Sequence, residues 1–256
     1  MRMPTPRDVL LRVLPALLTV LVASPAFAQT RAHDFTTYRP SAPATRIADS
    51  EAPSIDGDIS DPVWQKAPLI NEFYQLEPSE GQPSTERTEV RVLYDENNIY
   101  FSVMNYDDDP KGILGRIKAR DGSIEVDDVF RVYLDPNMTR RNGYTFEVNP
   151  AGSRRDGLIQ NNADFLYEWN TIWSAKTRIL PNGWSIEMAI PFRSISYTAG
   201  RNDWGFDLFR LIRRKNERTR WSSVNIGIQS QDISHSGTLA GLKDINQGLE
   251  IGRAHV

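Results

Sequence analysis

The sequence predicts an all-β fold: a sandwich of two antiparallel sheets with Greek-key-like connections and one or two short helical turns. Three observations carry this expectation. Apolar residues recur with a period of two over short runs, turn-forming clusters separate the runs, and helical periodicity is scarce.

The elements follow in order. A first short strand is expected near Thr45–Ala48. Val90, Val92 and Tyr94 alternate with Arg91 and Leu93. Asp95-Glu96-Asn97-Asn98 then turns the chain, and Ile99, Phe101 and Val103 alternate with Tyr100 and Ser102. Alternation on both sides of a polar turn is a hairpin signal. Val129–Leu134, Tyr144–Val148 and Thr171–Ile179 read as further strands. Pro181-Asn182-Gly183 reads as a tight turn into Trp184–Ile190. Trp204–Arg213 and Thr219–Val224 read as a last pair, joined by Arg214-Lys215-Asn216-Glu217-Arg218. Helical turns are expected at Asp61–Ala67, where Pro62 suits a first helical position, and at Pro191–Ile195.

The start of the chain reads as a targeting segment. Arg2, Arg7 and Arg12 precede an apolar run from Val13 to Val22, and Ala26-Phe27-Ala28 offers small residues for cleavage after Ala28. Residues 1–28 are therefore expected to be a signal peptide, and the Pro-, Ala- and Thr-rich stretch 29–44 a linker. Residues 45–249 are the expected sandwich, within a mature chain of ~220 residues once the leader is gone, long enough for a sizeable core. Ile251-Gly252-Arg253-Ala254-His255-Val256 reads like an in-frame translation of a sequencing adaptor, so 250–256 is expected to be a non-native tail.

Composition excludes several function classes. The chain has no cysteine, which removes thiol catalysis, zinc–thiolate sites and iron–sulfur clusters. A net charge of −3 gives no basic footprint for nucleic acid. Neither a Gly-x-Ser-x-Gly elbow nor a phosphate-cradling glycine loop is present. Of three histidines, His33 falls in the linker and His255 in the tail, so a Ser–His–Asp triad would have to use His235.

Several phrases then line up in order: Ile55-Asp56-Gly57-Asp58 with Asp61-Pro62-Val63-Trp64; Val92-Leu93-Tyr94-Asp95 with Ile99-Tyr100-Phe101; and Asp127-Asp128-Val129-Phe130 with Tyr133-Leu134-Asp135. Tyr144 to Gly152, Gly183-Trp184-Ser185-Ile186-Glu187 and Ala189-Ile190-Pro191-Phe192 continue the series. Over residues 45–245 the chain resembles the family 9 carbohydrate-binding-module-like domain. It is most similar to the version that opens a bacterial family of uncharacterised surface proteins, on Trp204-Gly205, Arg213-Arg214 with Glu217 and Trp221, and Gly237 to Leu242. The resemblance implies a β-sandwich, binding to sugar chains or their ends, and bound Ca²⁺. It also implies a membrane-associated β-barrel region that should follow, so the sequence is expected to be truncated before it.

Sugar binding needs a flat ring against the apolar face of a pyranose, with amide or charged groups on its hydroxyls. Of six tryptophans, Trp184 and Trp204 read as core, and Trp64 as a plug at one end of the sandwich. Trp169 is the leading ligand candidate, in the irregular aromatic segment that also holds Tyr167, with Trp173 beside it; packing over the sandwich edge is the competing reading for Trp169. Arg213 with Glu217 is the candidate polar pair, since a guanidinium fork suits vicinal hydroxyls or a carboxylate, against the alternative of a solvated strand face. Asp56, Asp58 and Asp61 are the candidate Ca²⁺ ligands, against the alternative of turn chemistry. Asp107-Asp108-Asp109 reads as turn chemistry, and one of Asp127 and Asp128 is expected to face inward and pair with an arginine.

These readings converge on a non-catalytic carbohydrate-binding domain of an exported bacterial protein that serves polysaccharide breakdown. Its expected place is the periplasm, outer membrane or cell surface. The expected partner is an oligo- or polysaccharide, with no nucleic acid and with a membrane link only through the missing C-terminal region. Two alternatives stay open: a docking domain of an outer-membrane barrel protein that binds no sugar, and a glycoside hydrolase cleaving O-glycosyl bonds, which would need two carboxylates suitably spaced.

Overall fold

In the computed structural model the described residues are 33–225 and 227–246. The expected signal peptide and the expected tail fall outside them. The strands are β1 (Ser41–Pro43), β2 (Thr45–Arg46), β3 (Tyr74–Glu77), β4 (Thr88–Tyr94), β5 (Asn98–Tyr106), β6 (Val129–Asp135) and β7 (Gly143–Val148). They continue with β8 (Arg154–Gln160), β9 (Asp164–Leu166), β10 (Ser174–Leu180), β11 (Gly183–Pro191), β12 (Trp204–Ile212), β13 (Glu217–Arg220) and β14 (Gly237–Ala240).

The strands form two sheets. The larger, nine-stranded sheet runs β1-β14-β12-β6-β7-β8-β9, with β13 also pairing with β12 and β3 pairing with β13; the smaller, five-stranded sheet runs β10-β11-β5-β4-β2. The chain makes the β4–β5 hairpin, crosses to the β6–β9 meander, returns for β10 and β11, and crosses again so that β12 lies antiparallel to β6. That return is the expected Greek-key-type connection. Short 3₁₀ turns occur at Pro62–Lys66 and Phe192–Ser194, where helical turns are expected.

Alternation explains the interior. Val90, Val92, Tyr94, Ile99, Phe101 and Val103 of the β4–β5 hairpin meet Trp184, Ile186, Met188 and Ile190 of β11 in one buried cluster. Phe130, Val132, Leu134, Phe146, Val148, Trp204, Phe206 and Leu208 close it from the larger sheet. Residues of the opposite parity face outward, yet many are also covered. On the smaller sheet, Trp64 packs against Leu93, Tyr100 and Ala67. Trp64 therefore covers the sheet's outer face and does not plug an end of the sandwich.

Glu187, the outward residue between Ile186 and Met188, organises this cover. Its Oε1 accepts the Trp64 indole N–H at 2.9 Å, and its Oε2 accepts the Asp56 and Gly57 N–H groups at 2.9 Å each. Burial pushes the Glu187 carboxyl above its ordinary value, against the pull of those N–H groups. Ser185 Oγ donates to the Gly57 carbonyl at 2.6 Å. Two phrases far apart in sequence, Ile55–Asp58 and Gly183–Glu187, are thus one local structure.

Three expectations are corrected. The stretch 33–44 is not a bare linker: it carries β1, and Phe35 packs with Tyr74 and Val224. The strand expected from Thr171 begins at Ser174, because Thr171 N–H and the Trp173 indole are both drawn to the buried carboxylate of Asp156. The strand expected at Thr219–Val224 begins instead at Glu217 and ends at Arg220, paired on both sides by β12 and β3.

Candidate functional site

The outer face of the larger sheet carries charge where a plain sandwich would meet water. β6 turns Val129, Arg131 and Tyr133 outward, β7 Thr145 and Glu147, β8 Arg155 and Ile159, and β12 Asp207, Phe209 and Leu211. These are the residues of opposite parity to the interior set. Ile124 and Ile233, from the connections before β6 and β14, cover part of this face with Val129, Tyr133, Ile159, Phe209 and Leu211.

Between these covers a cleft of about 420 Å³ stays open. This falls within the usual size of small-ligand sites. Val129, Arg131, Phe209 and Leu211 form its floor; Glu125, Val126, Phe165 and Tyr167 line it, as do Arg213, Arg218 and Ser230. The rings of Phe165 and Tyr167 lie 5.4 Å apart and tilted by 30°. The Arg131 guanidinium sits 4.9 Å from the centroids of both Phe165 and Phe209, a cation–π arrangement that fixes the rings from below.

Beneath the rings runs a buried ionic chain. Arg131 Nε pairs with Glu147 Oε1 at 2.9 Å, and Arg155 Nη2 pairs with Glu147 Oε2 at 2.7 Å. Arg155 also pairs with Glu125 at the cleft wall. Tyr167 donates its hydroxyl to Glu147 Oε1 at 2.8 Å, and its ring lies 3.8 Å from the Arg155 guanidinium. Burial opposes the Arg131 charge, but the Glu147 carboxylate outweighs it, and the Arg131 pKa ends well above its ordinary value. Burial raises the Tyr167 phenol pKa too, so its hydroxyl remains a donor. The chain locks Tyr167 from one side and leaves the cleft side of the aromatic pair for contact.

Tyr167 and Arg213 are the predicted site residues that the structure brings together here. Trp173 is not with them: it is 4 % exposed, its indole donates to Asp156 Oδ1 at 3.0 Å, and its ring meets Phe146 edge-on in the interior. Trp169 is half-buried, packed against Tyr144 at 5.1 Å and Phe146 at 6.4 Å, at the sandwich edge. Tyr144 also lines a separate hollow of about 260 Å³ with Leu158 and Leu166, which has no charged lining.

The Arg213–Glu217 pair does not form. Glu217 points the other way, buried, and accepts from Ser84 Oγ at 3.1 Å, Thr85 N–H at 2.9 Å and Thr85 Oγ1 at 2.6 Å. The reason is the strand's alternation: Glu217 lies opposite Ile212 and Arg218 opposite Leu211, so Arg218 shares the cleft face with Leu211 and Glu217 takes the other face. The Arg213 backbone N–H donates to Asp128 Oδ1 at 2.7 Å. Asp127 and Asp128 both face inward, but among the described residues neither forms the expected ion pair with an arginine; Asp128 takes an arginine's amide, not a guanidinium.

The candidate Ca²⁺ ligands do not converge. Arg178 pairs with Asp56 at 3.1 Å and Asp58 at 2.9 Å, and the remaining Asp56 and Asp58 contacts are turn bonds to Asp58 and Ser60 N–H groups. Among the described residues the carboxylates that come together are Glu86, Asp107 and Asp108. Arg214 lies 2.6 Å from Asp107 and Lys215 2.5 Å from Glu86, so side-chain cations already supply the charge an ion would bring. The donor set at either place does not fit Ca²⁺. His235 offers no triad geometry either: its Nδ1 is buried without a hydrogen-bond partner among the described residues.

A family model described as "Carbohydrate family 9 binding domain-like" matches residues 55–238. The chain belongs to this family. The family model's span includes the Glu187-centred structure, every strand from β3 to β13 and all of the cleft lining. Solved structures agree on the fold. A family 9 carbohydrate-binding module from Caldicellulosiruptor kristjanssonii, in complex with cellotriose, superposes with a TM-score of 0.56 at 15 % identity, covering 83 % of this chain and 100 % of that one. The same organism's family 9 module with glucose gives 0.55 at 15 % identity, covering 82 % and 100 %. A protein from Bacteroides uniformis with a suggested carbohydrate-binding role gives 0.64 at 12 % identity, covering 79 % and 99 %. No curated protein matches the chain.

Proposed function

We propose that this chain is a non-catalytic carbohydrate-binding domain and that its glycan lodges in the cleft on the outer face of the larger sheet. The observation that carries the reading is the meeting, in one opening, of the Phe165–Tyr167 ring pair with polar groups at Arg213, Arg218 and Ser230. A pyranose would lay its apolar face on the rings and turn its hydroxyls to the polar groups. Family membership supports the same class of ligand. An open cleft recovers limited area on binding, so the affinity is modest. The leader-like start of the sequence supports export, and a glycan-binding domain outside the cytoplasm suits a polysaccharide-degrading system.

A glycan array probed with the full chain tests this. Wild type binds at least one glycan, and Phe165→Ala weakens that binding by about tenfold, the loss of one well-placed ring contact. Phe165 is chosen because it is half-buried and holds no polar bond, so circular dichroism of the variant should match wild type. Glycan binding that ignores Phe165→Ala would move the site elsewhere.

One observation favours a second reading, a docking domain that binds no sugar. Trp64, Trp173, Trp184, Trp204 and Trp221 are all buried to 4 % exposure or less, which leaves Trp169 alone with indole surface. Silence across the whole array would move the weight to that reading. Turnover of chromogenic glycosides would instead revive the hydrolase alternative.

A further inference from the structure

The charges around the cleft are unequally spent. Glu147 and Glu125 balance Arg131 and Arg155 within the buried chain. Asp207 balances Arg220 at 2.8 Å, with both side chains fully buried. Arg214 and Lys215, the neighbours of Arg213, are held by Glu86, Asp107 and Asp108. Arg218 has a loose, exposed contact with Glu77 at 3.4 Å. Arg213 is different: it is half-buried at the cleft, and among the described residues no carboxylate lies within ion-pair distance of its guanidinium.

A half-buried guanidinium without an anion has lost part of its hydration and gained no counter-charge. A planar, bidentate anion is what its fork geometry accepts most strongly. Aromatic faces beside it accept a sugar ring. One ligand class offers both features in one unit: a pyranose bearing a ring carboxylate.

We propose that the cleft selects acidic glycans, binding a uronate unit with its ring over Phe165 and Tyr167 and its carboxylate on the Arg213 fork. Arg218 adds a second positive charge, because its exposed contact with Glu77 is easily exchanged. Among the described residues Glu125 is the one anion lining the cleft, and Arg155 already holds it. The inference rests on the glycan-binding reading above and narrows it to a substrate class.

Calorimetry with the full chain decides it. The probes are trimers of galacturonate, mannuronate and glucuronate, the methyl-esterified galacturonate trimer, and cellotriose. At least one acidic trimer is expected to bind, about tenfold or more above the ester and cellotriose, with affinity falling as salt rises. Arg213→Met erases the preference for acid over ester, and Arg213→Lys keeps the salt dependence but recovers only part of the affinity. Because among the described residues the Arg213 side chain has no hydrogen-bond or ion-pair partner, and its Asp128 contact runs through the backbone, both variants should melt as wild type does. Equal binding of acid and neutral probes, or acid binding indifferent to Arg213→Met, overturns the acidic preference while leaving glycan binding intact. Silence toward all these probes overturns the acidic preference, and silence across the glycan array as well overturns glycan binding.

Discussion

Arg210 and Asp128 show what ionisable side chains give up inside a β-sandwich. Arg210 points inward from β12, fully buried, and its guanidinium donates to the carbonyls of Arg87 at 3.0 Å and Tyr106 at 2.6 Å and to Thr88 Oγ1 at 3.0 Å. Burial lowers its pKa to about 10, with Asp128 and Asp107 pulling the other way. Asp128 sits in the same environment with its Oδ2 unpartnered. Burial pushes its carboxyl up to about 6; the Arg213 N–H and the Arg210 charge oppose the shift, and Asp107 adds to it. A carboxyl raised on folding holds its proton more tightly in the folded chain than in the unfolded one. Its contribution to stability therefore grows as pH falls through about 6 toward the ordinary value of 3.8, and is lost as pH rises through about 6. Urea titrations should give Asp128→Asn a stability that loses the wild-type gain between neutral pH and pH 5, a difference of about 1 kcal/mol. Parallel pH profiles for the two proteins would rule out Asp128 as the group responsible.

At the level of elements, legibility depended on how one-sided each strand is. The β4–β5 hairpin and β11 were readable because apolar side chains keep one parity there and the turns carry Asp, Asn and Gly. The Pro181–Gly183 turn is as expected for a physical reason: Gly183 has a φ of +146°, and a Cβ there would stand 2.0 Å from the Asn105 carbonyl oxygen on the neighbouring strand. Gly183→Ala should cost clearly more by chemical denaturation than Gly200→Ala, where a Cβ would meet nothing within 4 Å and only the left-handed backbone, at a φ of +77°, opposes the change by about 1 kcal/mol. β8 was invisible because Arg154-Arg155-Asp156 looks like a solvated charge run. In the fold Asp156 is fully buried, accepting from Arg120, Thr171 and Trp173, while Arg155 feeds the ionic chain under the cleft. The cleft was half legible. Tyr167 and Arg213 stood out because they sit in or beside irregular segments. Arg131 and Phe209 did not, since alternation alone assigns outward residues to solvent; Phe165 shares the irregular segment of Tyr167, where the larger indole of Trp169 outweighs it as a platform. One signal was available: β12 is apolar at both parities, with Phe206 and Leu208 on one and Phe209 and Leu211 on the other, as a strand covered on both faces must be. Trp184 and Trp204 lie in the core as expected, whereas Trp173 misled for the opposite reason. The largest rings were sought as platforms, and large rings are also what a thick sandwich core needs most.

Across the whole molecule, both sheets meet in one apolar interior, while each outer face has a separate cover: the Trp64 structure on one side, and the loops flanking the cleft on the other. The cleft can therefore vary in its loops without disturbing the core, an arrangement common where binding rides on a rigid scaffold. The start of the described chain ties the layers together. β1 pairs with β14 in the larger sheet and β2 with β4 in the smaller, with Ala44 alone between them. Ala44 N–H donates to the Ala240 carbonyl at 2.8 Å, Thr238 N–H to that of Pro40 at 2.9 Å, and Ile47 N–H to that of Tyr94 at 2.8 Å. Such a strap works as a stitch through both fabrics, so neither margin can fray without pulling on the other. In deuterium exchange, the amides of Ala44, Ile47 and Thr238 should open as one cooperative unit, whereas opening energies differing by more than about 1 kcal/mol would mean that the layers part independently at this seam.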